Sequence, residues 1–313
     1  MICGIGTRHH GFYIHPEGFD IHLLTREQSP QNWFSARALC VRDAEAFIYT
    51  GRKAGATLLI ELTTLNPHDG QPALMHIRSA LQAGLDVVTA NKGPVAYAHS
   101  ELRALARRYD VQFRFESTVL DGLPLFNLVQ FTLQTADICG FRALLNSTST
   151  FFLSLVEQGQ TPDQAIRQAQ QLGIAESDPA YDLDGWDAVM KTTILANTLL
   201  EGQLTPYRVR RMGIRQLAVG DIRAAARDGA PIRLVSQASR RDGTVVAEVV
   251  PQRIAADDIL HAGKGTTSII TLETEAMGTI SLIEHEPTVL QTAYGVLNDL
   301  ITIVQQRRYI PSS

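Results

Sequence analysis

The sequence predicts an α/β protein in two parts, a parallel sheet with crossover helices followed by an α+β region. Two observations carry this. From Leu58 to Phe115, short apolar runs alternate with helical patterns as β-α-β-α-β, and connections of that length suit parallel pairing. Beyond Pro124 the alternation stops, and strand-like runs near Ile138–Leu145, Leu234–Val235, Val245–Val250 and Ile269–Leu272 lack regular crossover helices, so a mixed or antiparallel sheet is expected. A third observation concerns function: charged side chains crowd into the stretch from Gly173 to Lys191.

Composition narrows the class. At 313 residues, 45% hydrophobic and 19% charged, the chain can form one large or two moderate cores, and two are expected. A formal charge of -4 without a basic run argues against nucleic acid as a partner. Cys3, Cys40 and Cys139 lie far apart with no Cys-x-x-Cys spacing, which suggests buried thiols in a reducing compartment rather than disulfides or zinc. No apolar run reaches the ~18 residues of a membrane span, and the start lacks a leader pattern. A cytoplasmic enzyme acting on small molecules, away from membranes, is the resulting expectation.

Residues 2–6 read as a strand. Gly4-Ile5-Gly6 imitates the opening of a phosphate-cradling G-x-G-x-x-G turn, but His9 stands where the third glycine belongs and no helical pattern follows. Residues 12–31, with Pro16, Gly18 and Pro30, predict a loop with short helical pieces. Trp33, Ala36, Cys40, Ala44, Phe47 and Ile48 space as a helical stripe over residues 33–54. Leu58–Thr63 is a strand, Gln71–Ala83 a helix, Asp86–Thr89 a strand, Val95–Tyr109 a helix and Val111–Phe115 a strand. Polar residues at the carboxyl ends of such strands, Thr63, Thr64, Asn91 and Lys92 here, lie where an open α/β sheet meets its ligand. The plainer reading of the first pair is a strand-to-helix turn capped by Asn66 or Asp69.

Helices are expected from about Pro124, Ser149, Pro162 and Asp187, with a last one over Leu290–Val304. The segment 173–191 enters one of them through Asp-Pro and Asp-Gly turns. Asp187 and Lys191, four apart, share a helix face in the favourable order, which fits a surface salt bridge of a few tenths of a kcal/mol or a pair of functional groups.

Four motifs in this order resemble the homoserine dehydrogenase family. They are Ala90-Asn91-Lys92-Gly93; Phe115-Glu116 through Gly122-Leu123-Pro124; Leu145-Asn146-Ser147-Thr148; and Leu172-Gly173-Ile174-Ala175-Glu176-Ser177-Asp178-Pro179 with Asp182, Gly185, Asp187 and Lys191. The resemblance implies reversible NAD(P)H-dependent reduction of L-aspartate 4-semialdehyde to L-homoserine in a homodimer. It implies a Rossmann-type nucleotide-binding domain over 1–121, an α+β catalytic and dimerisation domain over 122–286, and a helix over 287–313 returning to the first. For that reaction Lys191 is the expected proton donor, with Lys92 the alternative donor and otherwise the group that orients and stabilises charge, and Glu176, Asp182 and Asp187 are the candidates to receive the substrate's ammonium. Thr63, Thr64, Asn91, Lys92, Gly173 and Glu176 face the cofactor, while Asp178 and Asp184 cap or turn. A monovalent cation, Na+ or K+, would be held by Glu116 and the carbonyls of Val119, Asp121 and Leu123, although that stretch also reads as a plain hinge loop.

Two departures stand out. By the resemblance, residues 2–10 are expected to align with the second Rossmann strand and its turn, which implies an incomplete Rossmann-type domain without the first strand, glycine loop and first helix. Either the true start lies upstream, or the chain is a shortened paralogue with weak or absent catalysis. Arg8, in the turn that tests the adenosine ribose, suits the 2'-phosphate of NADP better than NAD, unless it is simply an exposed basic turn. The second departure is Glu284-His285-Glu286-Pro287-Thr288-Val289, which lacks the glycines the family carries before its last helix.

Overall fold

The computed structural model describes residues 1–26 and 38–309. They divide into two compact units, residues 1–115 with 296–313, and residues 116–295.

In the first unit, β1 (Gly4–Thr7), β2 (Gly11–Ile14) and β3 (Leu39–Val41) form an antiparallel sheet in that order. This corrects the placement of residues 2–6 as the second strand of a parallel sheet. The link through Arg8-His9-His10 is too short for a crossover, and Gly11 at φ +83° closes a hairpin that pairs Gly4 with Ile14. Residues 12–31 hold the expected short helix α1 (Ile21–Arg26), but also the end of β2. The helix predicted over 33–54 is seen only as α2 (Ala44–Lys53), because Asp43 in extended backbone accepts the Ala46 N–H at 2.8 Å and starts the helix there. Cys40 falls in β3 instead, and Trp33 and Ala36 lie outside the described residues.

The parallel part follows the predicted alternation. β4 (Leu58–Glu61), β5 (Asp86–Thr89) and β6 (Phe113–Arg114) pair in parallel, joined by α3 (Ala73–Gln82) and α4 (Lys92–Arg108). β5 is buried along its whole length, as a central parallel strand should be. Ile77, Leu81, Val87 and Leu102 are wholly buried in the core that α2, α3 and α4 build on the sheet, each contributing about 1.5–3 kcal/mol. α4 starts earlier than its apolar pattern suggests, because Asn91 accepts the Gly93 N–H and caps it, which makes Lys92 the first helical residue.

The second unit carries α5 (Leu125–Phe131), β7 (Ile138–Leu144), α6 (Ser147–Glu157), α7 (Pro162–Gln171), α8 (Ala180–Leu183), α9 (Trp186–Leu199), β8 (Arg210–Arg211), α10 (Val219–Arg227), β9 (Ile232–Arg241), β10 (Thr244–Arg253), β11 (Ser268–Thr274) and β12 (Gly278–Glu284). The strands form a mixed sheet in the order β12-β11-β7-β9-β10-β8, antiparallel except where β8 meets β10. Helices α6 and α9 pack on it. α11 (Val289–Tyr309) begins in this unit and ends in the first, where Arg307 pairs with Asp86 at 2.7 Å. Among the described residues no helix is long and apolar enough to cross a membrane.

Candidate active site

In the second unit the segment 173–191 folds against the start of α6. Gly185, at φ +84°, takes the left-handed conformation needed to turn from α8 into α9, so that Asp187 and Lys191 occupy the first turns of α9. The pair is not the exposed bridge its spacing allows. Lys191 Nζ lies 3.6 Å from Asp187 Oδ2 with side chains only 15% and 10% exposed, and it donates to the Leu145 carbonyl at 2.7 Å. Asp182, from α8, joins them through Asn146, whose carboxamide donates to Asp182 Oδ1 at 2.7 Å and to Asp187 Oδ2 at 3.0 Å. Burial, and next the negative charge of Asp187, push the Asp182 carboxyl up, while Asn146, Thr148 and Lys191 oppose the rise. One ammonium and two carboxylates from α8 and α9 are thus gathered around Leu145 and Asn146.

Other predicted residues of the segment stand apart. Glu176 is exposed on the loop after α7, and Gly173, exposed at φ +70°, ends that helix. Asp178 accepts the Ala180 N–H at 3.0 Å, and Asp184 pairs with Arg215 at 2.7 Å, both local bracing roles.

In the first unit the carboxyl ends of β4 and β5 lie side by side, with Glu61 opposite Thr89. Thr63 and Thr64 are exposed there. Asn91 is buried and donates to the Thr63 carbonyl at 2.9 Å, tying the two strand ends together. Glu61, buried, accepts both the N–H and the hydroxyl of Thr63 and faces His76. Burial pushes its carboxyl up, but His76 and Thr63 outweigh that and hold it below the usual range. Asn66 and Asp69 brace their own turn, accepting from His68 and Gln71. Gly93 is a close-approach glycine: a Cβ there would sit 2.8 Å from Gly70 Cα and 3.2 Å from the Asn66 carbonyl. Hydroxyls at a strand end and an ammonium at a helix N-terminus suit the ribose and nicotinamide half of a dinucleotide. Arg8 sits exposed in the β1–β2 hairpin turn, not at the end of a parallel strand. Gly4 and Gly6 lie within β1, and among the described residues no parallel strand runs into a G-x-G-x-x-G turn.

The turn 116–123 shows how the predicted cation ligands are used. Glu116 is buried, and its oxygens accept the Phe126 N–H at 2.7 Å, the Asn127 N–H at 2.8 Å and the Asn127 side chain, capping α5. The Leu123 carbonyl accepts from Leu125, and Asp121, at φ +36°, accepts the Thr292 hydroxyl at 2.8 Å. Glu284, which sequence reasoning took only as part of a glycine-poor turn, ends β12 beside this loop. It is buried, takes the Gly122 N–H at 3.4 Å, and leaves Oε2 without a hydrogen-bond partner. Burial, and then the charge of Asp121, push its carboxyl up to about 7. An orphaned carboxylate oxygen next to turn carbonyls is chemistry that fits a hard cation.

Comparison with known proteins agrees with the motifs. The family model described as homoserine dehydrogenase matches residues 124–301. A relative from Pseudomonas canavaninivorans, an NAD(+)-dependent homoserine dehydrogenase, is 39% identical over 81% of this chain and 72% of its own. The homoserine dehydrogenase of Methanocaldococcus jannaschii is 33% identical over 80% and 74%. Among solved structures, a hyperthermophilic archaeal homoserine dehydrogenase in complex with NADPH superposes with a TM-score of 0.78 at 27% identity, covering 97% of this chain and 88% of that one. On the buried acid–lysine cluster and these likenesses together, the chain belongs to the homoserine dehydrogenase family.

Proposed function

We propose that this oxidoreductase interconverts L-aspartate 4-semialdehyde and L-homoserine. The observation that carries the reading is the largely buried cluster of Lys191, Asp182 and Asp187 held by Leu145 and Asn146. Reduction of the aldehyde turns its oxygen into an alkoxide, which needs a proton donor and nearby positive charge. Lys191 is assigned the proton. An ammonium has three donors, and the Leu145 carbonyl takes one of them, so others serve the substrate oxygen. Asp182 and Asp187 receive the substrate's ammonium, with Glu176 contributing from the exposed loop. The proton leaves Lys191 Nζ as the alkoxide forms and is replaced from solvent.

NAD(P), when bound, supplies the hydride. Thr63, Thr64, Asn91 and Lys92 would hold its nicotinamide half, with Lys92 and the α4 N-terminus providing positive charge. Gly173 and Glu176 are assigned further cofactor contacts, and Arg8 a 2'-phosphate contact, which an Arg8→Ala variant tests by its ratio of NADP to NAD turnover. The cation would be held by Glu116, Val119, Asp121 and Leu123, with Glu284 added on the strength of its orphaned oxygen. A homodimer is tested by light scattering.

The deciding experiment follows homoserine-dependent reduction of NAD and NADP at the nicotinamide absorbance. Turnover by the wild-type chain, abolished in Lys191→Met, is the expected result. A folded wild-type chain without turnover would overturn the activity, and full turnover in Lys191→Met would overturn the donor.

A further inference from the structure

We propose that Asn146 is a positioning residue for the amino-acid substrate: its one carboxamide holds both acids in place for the incoming ammonium. The inference rests on the reading that Asp182 and Asp187 receive that ammonium.

The orientation of the carboxamide follows from its partners. Asn146 caps α6, and its Oδ1 accepts the Ser149 N–H at 2.7 Å, which only an oxygen can do. The NH2 group must then face the acids, giving one N–H to Asp182 Oδ1 at 2.7 Å and one to Asp187 Oδ2 at 3.0 Å. Asn146 is 6% exposed, and its bonds to Ser149 and Asp187 are buried while that to Asp182 is partly so. The main chain takes part as well, because the neighbouring Leu145 carbonyl anchors Lys191. Residues 145 and 146 therefore hold the proposed proton donor and both proposed ammonium ligands.

The choice of an amide has a physical reason. Two buried carboxylates in one site repel each other, and one tends to take up a proton. An Arg or Lys at position 146 would cure this by ion pairing, but it would also cancel the charge that attracts the substrate. A carboxamide donates to both acids and carries no charge of its own, so it cancels none of theirs. The groups facing Asp182 are Asp187 and Lys191 from α9 and Asn146 and Thr148 from α6. Of these, Lys191 is the sole cation, and it is already engaged with Asp187 and Leu145. Withdrawing the amide leaves Asp182 facing Asp187 with weaker compensation.

The cap and the clamp can be separated by mutation. Asn146→Ser keeps a good N-cap and removes both amide donors, and Asn146→Gly is a second variant that caps nearly as well. Calorimetric binding of L-homoserine to the intact chain across pH, alongside thermal unfolding, reads both functions. For Asn146→Ser the expected result is a melting temperature close to wild type, affinity for L-homoserine lower by roughly ten- to a hundredfold at neutral pH, and an acidic loss of affinity that begins at higher pH. If wild type fails to bind L-homoserine, the functional reading falls. If wild type binds and a folded variant matches its affinity and pH profile, the role of Asn146 is refuted while that reading stands. If both variants unfold, the residue is structural and the inference is likewise overturned.

Discussion

Removing one member of the Asp187–Lys191 pair tests whether burial turns an ordinary helix-face pair into a strongly coupled one. At 3.6 Å and an effective dielectric constant of about 20, the attraction is about 332/(20 × 3.6), or roughly 4–5 kcal/mol. Breaking one side of a buried pair costs a similar ~3–5 kcal/mol, because the surviving charge is left uncompensated. An exposed pair at this spacing gives about 0.3–0.5 kcal/mol. Asp187→Asn, Lys191→Met and the double variant complete a cycle whose stabilities are read by urea unfolding at neutral pH. A coupling energy of about 2–5 kcal/mol is expected, with the double variant more stable than the sum of the single losses implies. Asn146 adds to the cost of Asp187→Asn, since one of its N–H groups then faces a neutral acceptor. A coupling at or below about 0.5 kcal/mol would show that water screens the pair, and the argument that this cluster is a shielded reaction site would fail.

Other perturbations test separate parts of the structure. Burial, and then the charges of Arg103 and Arg107, lower His99 to about 4 from 6.5, so the unfolded chain takes up this proton first as pH falls. The contribution of His99 to stability is complete above pH 6.5 and is lost as pH drops toward 4, by about 1.4 kcal/mol per unit and about 3 kcal/mol in all; His99→Phe should lack that share of the slope in urea unfolding. Gly93→Ala forces a Cβ to within 2.8 Å of Gly70 Cα and should cost about 1–3 kcal/mol while weakening nucleotide binding, measured by calorimetry. Potassium or sodium chloride should raise the melting temperature to a plateau that tetramethylammonium chloride at equal ionic strength does not reach, and Glu284→Gln should abolish the difference. Equal curves in all three salts would remove the cation from the 116–123 turn.

The likeness of the chain to its family was legible because local pattern carries it. The periods of α3, β5 and α9 fixed their positions closely, and the turn residue Gly185 marked where α9 begins. The hairpin of β1 and β2 was not legible in the same way. Four-residue strands have too few side chains to show whether their pairing is parallel, and Gly4-Ile5-Gly6 fits a strand in either sheet. Helix α2 began late for a local reason that the apolar stripe hid, the cap at Asp43.

The sequence by itself determined which residue types are available, one lysine four places after an aspartate in a turn-rich acidic segment, and which helix face they share. Whether that face meets water or protein depends on what covers it, and no period within α9 encodes this. Asn146 reaches Asp182 across 36 residues and Asp187 across 41, and Lys191 reaches Leu145 across 46. Glu284 meets Gly122 across 162. Only the tertiary structure brought these groups together, and with them came the low-dielectric surroundings that make a buried charge costly and a shared amide effective.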